Sequence, residues 1–277
     1  MVKKVYTEEE RELHRQEQHA LMEGAIESLT TEAGFQRWLK IRTTASLRRF
    51  SFYNQMMILA QKPDATLVHT FASWLKQERR VKRGEHGIWV LKPIFAKVKE
   101  KNPLTGEENE VQKLVGFNGI KEFDISQTDG EPVDIEEFKI GTDMFGIWTD
   151  KLIDYAHTMG WIVEFHDGIN ANGYCRPSDK KIVIKDGGRA IDDQVRTLVH
   201  EIAHAHDINY ETFTREDAEI IVETTACIVL MEMGLTDLRT SAQYIASWSD
   251  GDIKIVKARA SLADKIADKI EQAIGLI

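Results

Sequence analysis

Cysteine is nearly absent from this 277-residue chain, which holds only Cys175 and Cys227. Two are too few for a disulfide framework, and both thiols read as small, half-buried hydrophobes. Also missing is any unbroken apolar run near the roughly 20 residues that span a bilayer. Residues 1–15 are charged and lack an apolar centre, which argues against a secretory signal. No internal repeat and no low-complexity tract is visible. These absences point to a reduced, cytoplasmic protein with no membrane partner.

What is present is ordinary globular composition, 42% hydrophobic and 29% charged, enough for one large domain or two small ones. The net charge of −9 hides an asymmetry. Residues 1–100 hold 18 Lys and Arg against 12 Asp and Glu, whereas the remainder holds 18 against 33. A basic block in an acidic protein suggests a localised nucleic-acid contact; the plainer reading is a solvated charged face. The acidic remainder would also allow mimicry of DNA, an idea with no other support.

Apolar spacing predicts helices over 6–29, 32–60 and 70–79, with breakers at Pro63 and Asp64. At Gly84 the period changes. Ile88–Leu91 and Val111–Phe117 read as strands of a hairpin around a turn-rich loop. The acidic stretch 127–143 reads as a linker. Beyond it come a helix at 146–159, strands at 161–165, 173–176 and 181–185, and helices at 191–208, 215–233, 238–248 and 252–274. The whole reads as an α+β protein of two domains. Residues 1–126 form a helical N-terminal domain with a small antiparallel sheet. Residues 144–277 form a zincin-like C-terminal domain built around a helix that carries HExxH.

That motif is His200-Glu201-Ile202-Ala203-His204. Positions i and i+4 project two imidazoles from one helix face, where they can share one Zn2+. Glu201 sits beside the first ligand and can act as a general base without binding the metal. By chance the motif is expected about 0.03 times in a chain of this size and composition, so an ordinary pair of helical histidines is the weaker reading. The flanking Leu198-Val199 and the interior Ile202-Ala203 are apolar, as a buried active-site helix requires, and Asp192 or Asp193 can cap its start.

A catalytic zinc needs a third protein ligand and an open position. Thr214 and Asp217 look like a capping box for the next helix, which leaves Glu219 and Glu223 on one face. Glu223 is favoured because Ala226, three residues on, lets two helices approach closely. Glu219 is the runner-up, or a partner that orients a ligand imidazole. The implied chemistry is metal-assisted hydrolysis. Tyr244 is a candidate oxyanion stabiliser, and His206 points off the ligand face.

In the N-terminal half, Arg48, Arg49, Tyr53, Trp74, Lys82 and Arg83 mix bases with aromatics. Such a pairing can neutralise phosphates and stack unpaired bases; the same aromatics could instead form a core coated by the bases.

Several stretches share one further property. FQRWLKIR, SFYNQMMILAQKPDATLV, the pattern from Trp74 to KRGEHGIWVLKP, and FDISQTDG resemble the ArdC-type antirestriction family. The likeness continues through NGYCRPSDKKIVIKDG, HEIAH, Glu219-x3-Glu223-Thr-Thr-Ala and SAQYIASWSDGD, across roughly residues 30–255. Cys227, where an aromatic is usual, and Val222 depart from the commoner pattern without removing a ligand. The resemblance implies a domain that binds single-stranded DNA, followed by a zincin-like metallopeptidase domain. It implies His200, His204 and Glu223 as ligands of Zn2+, with Mn2+ or Co2+ as substitutes, and Glu201 as the catalytic group. It further implies carriage on mobile elements, protection of incoming DNA, and a protein substrate such as a host restriction or defence protein. The alternative is a non-enzymatic protection protein whose metal site is structural or vestigial. Asn54 and Gly87 also match the family pattern but can be structural.

Overall fold

The structure is a computed structural model that describes residues 7–101, 108–133, 145–235 and 252–277. Its architecture is α+β with small sheets. The chain forms two compact units, one from residues 1–22 and 49–135, the other from 23–48 and 136–277. These limits differ from the division expected at 127–143, because residues 23–48 belong with the C-terminal unit. Helix α1 (Glu8–Ser28) runs from the first unit into the second.

The first unit contains α3 (Phe52–Gln61), β1 (Val68–Thr70), α4 (Phe71–Lys76), β2 (Arg80–Val81), β3 (Ile88–Lys101), β4 (Glu108–Asp124) and β5 (Thr128–Asp129). Strands β1, β4 and β3 lie in that order in an antiparallel sheet. The β3–β4 hairpin is longer than expected, pairing from Ile88↔Glu122 out to Lys101↔Glu108 with a register shift at Ile94/Phe95. Beyond Leu91 it exposes Lys97, Lys99, Glu110 and Lys113 beside apolar Phe95, Leu114 and Val115, so the sequence carries little core periodicity there.

Helix α3 covers the free edge of β3 with side-chain amides. Asn54 donates to the Leu91 carbonyl and accepts from the Leu91 N–H, both at 2.8 Å. Gln61, two turns later, does the same for Trp89, accepting at 2.9 Å and donating at 3.1 Å. Two helical amides thereby pair main-chain groups that a neighbouring strand would otherwise satisfy. Trp74 is fully buried, with its indole N–H on the Phe123 carbonyl at 2.8 Å.

The second unit contains α2 (Glu32–Arg42), α5 (Phe145–Thr158), β6 (Ile162–His166), β7 (Gly173–Arg176), β8 (Lys181–Lys185), α6 (Ile191–His204), α7 (Arg215–Glu232) and α8 (Ile253–Ile274). The helix expected over 32–60 is interrupted. Helix α2 ends at Arg42, where the Thr43 and Thr44 hydroxyls fold back onto the carbonyls of Leu39 and Lys40. Such local bonds compete with helical pairing and favour a stop. Strand β8 is central in its sheet, parallel to β6 and antiparallel to β7, with Ile182, Val183 and Ile184 buried. Helix α6 buries Val195, Leu198, Val199 and Ile202, and α7 packs between α6 and α8.

Arg42 ties α2 into this unit. Its side chain is 1% exposed and pairs with Asp264 and, at 2.7 Å, with Glu271 of α8. Arg48 reaches Glu232 of α7 at 3.3 Å. The helix expected at 238–248 lies outside the described residues.

Candidate metal centre

Helix α6 turns its apolar stripe inward, which leaves His200 and His204 half-buried on its other face. Their rings meet edge to face with centroids 4.9 Å apart, as the i, i+4 spacing dictates. The helix begins without a side-chain cap. Ala190 occupies the N-cap, and the expected caps, Asp192 and Asp193, sit in the first turn, where their charge opposes the positive helix end.

Helix α7 brings two carboxylates to the pair. Thr214 and Asp217 form the expected capping box, which fixes the helix start and hence the rotation of the face beyond it. Glu219 Oε2 lies 3.5 Å from His204 Nε2 and 3.8 Å from His200 Nε2. Ligand atoms of His200, His204 and Glu219 all fall within 4.8 Å of one another. Glu223 Oε1 lies instead 3.0 Å from His200 Nδ1. Geometry thus places the runner-up, Glu219, nearer the converging nitrogens than the favoured Glu223. Glu219 faces the nitrogens that converge, and Glu223 holds the far side of the first imidazole. With Nδ1–H donating to Glu223, His200 presents a lone pair at Nε2. Carboxylate oxygen and imidazole nitrogen converging in this way suit a divalent cation, so the donor set fits a metal.

Glu201 lies outside this triangle and is buried at the other side of His200. Strand β7 forms its wall, and the Cys175 backbone N–H bonds to its carboxylate. Gly173 is required there: a Cβ would stand 2.6 Å from Thr197 Cγ2 and 3.0 Å from the Val183 carbonyl oxygen. Burial, with Glu219 and Glu223 close by, pushes the Glu201 carboxyl up to about 7, against the pull of His200. Burial works to lower His200, but the hydrogen bond and charge of Glu223, helped by Glu201 and Glu219, raise it on balance. His204 is lowered, first by burial and then by His200.

Two cavities meet at His200 and Glu201. One, of about 600 Å³, runs past Asn172, Arg189, Arg196 and Leu230. The other, of about 590 Å³, runs past Tyr174, Cys175, Tyr210 and Arg215. Tyr210 and Arg215 were not singled out by sequence reasoning; their place beside the motif depends on the turn between α6 and α7. Tyr244 lies outside the described residues. His206 points away from the centre, as expected, with Nε2 3.3 Å from the Tyr155 hydroxyl; burial and Lys269 hold it down at about 4. Cys175 is half-buried and Cys227 buried, and burial pushes both thiols up to about 12.

The six candidate DNA contacts divide. Trp74 is buried and closed to stacking, which corrects that expectation: its ring fills the core between α4 and β4. Arg48 is engaged by Glu232. Arg49 donates to the Val68 carbonyl and lies 3.0 Å from His69 Nδ1. Tyr53 is half-buried against the edge of Phe52. Lys82 is exposed, with Nζ on the Ser126 carbonyl at 2.9 Å, and Arg83 is exposed.

A family model of the N-terminal domain of anti-restriction factor ArdC matches residues 17–123. Among solved structures, the metal-free crystal structure of antirestriction ArdC protein from R388 plasmid superposes with a TM-score of 0.60 at 19% identity. That match covers 92% of this chain and 97% of the other. The Mn(II)-bound structure of ArdC from R388 gives a TM-score of 0.59 at 19% identity, with 93% and 97% covered. No curated protein matches. The likeness to the solved structures extends the common fold over most of the chain, and residues 17–123 match the N-terminal domain of the ArdC family.

Proposed function

We propose that this protein, ArdC-like over residues 17–123, acts in antirestriction for a mobile element, binding single-stranded DNA through its first unit and carrying a zincin-type metallopeptidase site in its second. One observation carries the enzymatic part: His200 Nε2, His204 Nε2 and Glu219 converge, while Glu201 stands beside them uncommitted to the set. A purely structural metal has no use for a buried carboxylate at an open flank. His200, His204 and Glu219 would hold the ion, with Glu223 orienting His200. Zinc is the natural choice for two imidazoles and a carboxylate, and Mn2+ or Co2+ also suits. The Mn(II) in the R388 structure supports a divalent ion.

When bound, the metal would acidify a water and polarise the scissile carbonyl. Glu201 would take a proton from water at the site and return it to the leaving amine. Among the described residues strand β7 ends its sheet and leaves an edge open beside Glu201, where an extended peptide can add as a further strand. Tyr210 lines the same cleft and can meet charge that develops on the carbonyl oxygen.

For nucleic acid, the first unit offers Lys82, Arg83 and Arg49 on its surface. The partner proteins would be host restriction or defence factors. Incubating the metal-loaded protein and its Glu201→Gln variant with restriction proteins tests the reading. Cleavage by the wild type alone is the expected result, and full cleavage by Glu201→Gln removes Glu201 from the chemistry. If neither cuts while both bind single-stranded oligonucleotide in a salt-dependent way, the protein protects DNA by binding alone.

A further inference from the structure

The cleft beside Glu201 contains a cation that the hydrolytic scheme does not require. Arg215 opens α7, one turn before Glu219, and lines the cavity together with Tyr174 and Tyr210. Its side chain is exposed, with no ion pair or hydrogen bond among the described residues. Helix energetics do not account for it. The first turn of a helix favours acidic side chains, as Glu216 and Asp217 show, and a cation there opposes the macrodipole. Nor is it neutralised from nearby. Asp217 is taken up by Thr214 and Arg259, and Glu219 faces the two histidines. The opposite arm of the cleft differs, because Arg189 and Arg196 share it with Asp192 and Asp193.

We propose that Arg215 is a specificity-determining residue that receives an acidic side chain of the peptide substrate, on the N-terminal side of the bond that is cut. The proposal rests on the peptidase reading. Its direction comes from β7. Antiparallel pairing is the more stable kind, and a peptide laid antiparallel on β7 places its N-terminal half toward Cys175–Pro177. That is the arm of the cleft that holds Tyr210 and Arg215. A guanidinium with no partner among the described residues can grip a carboxylate through two parallel hydrogen bonds. The charge-balanced arm around Arg189 imposes no such demand on the C-terminal half.

The test uses the full-length protein loaded with Zn2+ or Mn2+ and a mixed peptide library, with cleavage sites read by mass spectrometry. Asp or Glu should be enriched within a few residues N-terminal to the cut. Arg215→Gln should abolish that preference and lower kcat/KM for acidic peptides by about ten- to a hundredfold, mainly through KM, while neutral peptides are little affected. Arg215→Glu should turn the preference towards Lys and Arg. In parallel, fluorescence anisotropy on metal-loaded Glu201→Gln compares binding of a labelled acidic peptide with its amidated counterpart. The acidic peptide should bind more tightly, and the difference should vanish when Arg215→Gln is added. Cleavage without acidic preference, or a preference that survives Arg215→Gln, overturns this proposal and leaves the peptidase reading standing. Neither cleavage nor peptide binding overturns both.

Discussion

The two units employ their buried polar side chains differently. In the first, those side chains serve the main chain. Asn54 and Gln61 pair the edge of β3, Asp124 accepts from the N–H groups of Thr66 and Leu67, and Arg79 donates to the carbonyls of Thr128 and Gly130. In the second, charged side chains meet one another: Arg42 with Asp264 and Glu271, Arg48 with Glu232, Arg259 with Asp217, His200 with Glu223. The cause is the backbone. Helices satisfy their own amides, so a mostly helical unit has side chains to spare for each other. Short strands with open edges and tight turns do not, and recruit amides and guanidinia to finish the accounting. A cluster of ligands is therefore easier to build in the second unit, while many polar residues of the first are structural.

The sharpest test of this contrast is Arg42→Met. It strands Glu271 and Asp264 in the core, and urea unfolding should register a loss of about 3–5 kcal/mol. Adding Glu271→Leu should recover much of it, and failure to do so would mean that the pair is not what holds α2.

Next come the two glutamates of α7. Glu219→Ala should weaken Zn2+ binding by more than about a hundredfold, and Glu223→Ala by about ten- to a hundredfold, since one removes a ligand and the other an orienting partner. Isothermal titration decides between them. The reverse order would make Glu223 the ligand.

In the first unit, Asn54→Leu leaves the Leu91 N–H and C=O unpaired and should cost about 1–3 kcal/mol, with no effect on metal affinity. A change in metal affinity would break the separation of roles.

Glu232 gives the pH test. Burial, reinforced by Glu271, pushes its carboxyl up to about 7, whereas in the unfolded chain it titrates near its ordinary value of 4.5. Between those values the folded protein keeps a proton that the unfolded chain has lost. Stability is therefore greatest below pH 4.5 on this account and declines as pH rises to 7, by about 3 kcal/mol. Glu232→Gln should flatten that slope in unfolding curves measured from pH 5 to 8. The smallest effect is expected from Arg83→Ala. It should leave stability unchanged and reduce the salt slope of oligonucleotide binding by about one.

The elements that sequence reading located well are those whose periodicity and boundaries agree. Strands β7 and β8 and the start of α7 fall where alternation, Pro177 and the Thr214 box place them. The HExxH spacing likewise fixes the two imidazoles without tertiary information. Elsewhere the deciding fact is tertiary. Glu219 and Glu223 share one helix face, so only the docking of α7 on α6 selects which meets Nε2 and which Nδ1. Trp74 looked like a stacking ring because its neighbours are basic, yet the α4–β4 contact buries it. The stop after Arg42 was signalled by two threonines whose hydroxyls bond backward.

Arg42 and Glu271 also stand 229 positions apart in the chain. A ribosome releases the arginine first and its partner near the end. Every described element of the first unit has been made by residue 129, while the second still lacks all of its strands and the helix that neutralises Arg42. Until then Phe35, Trp38, Leu39 and Ile41 have no finished core to enter. The unit that carries the HExxH helix is thus the last to close during synthesis, and its earliest segment is the one a nascent chain must shelter longest.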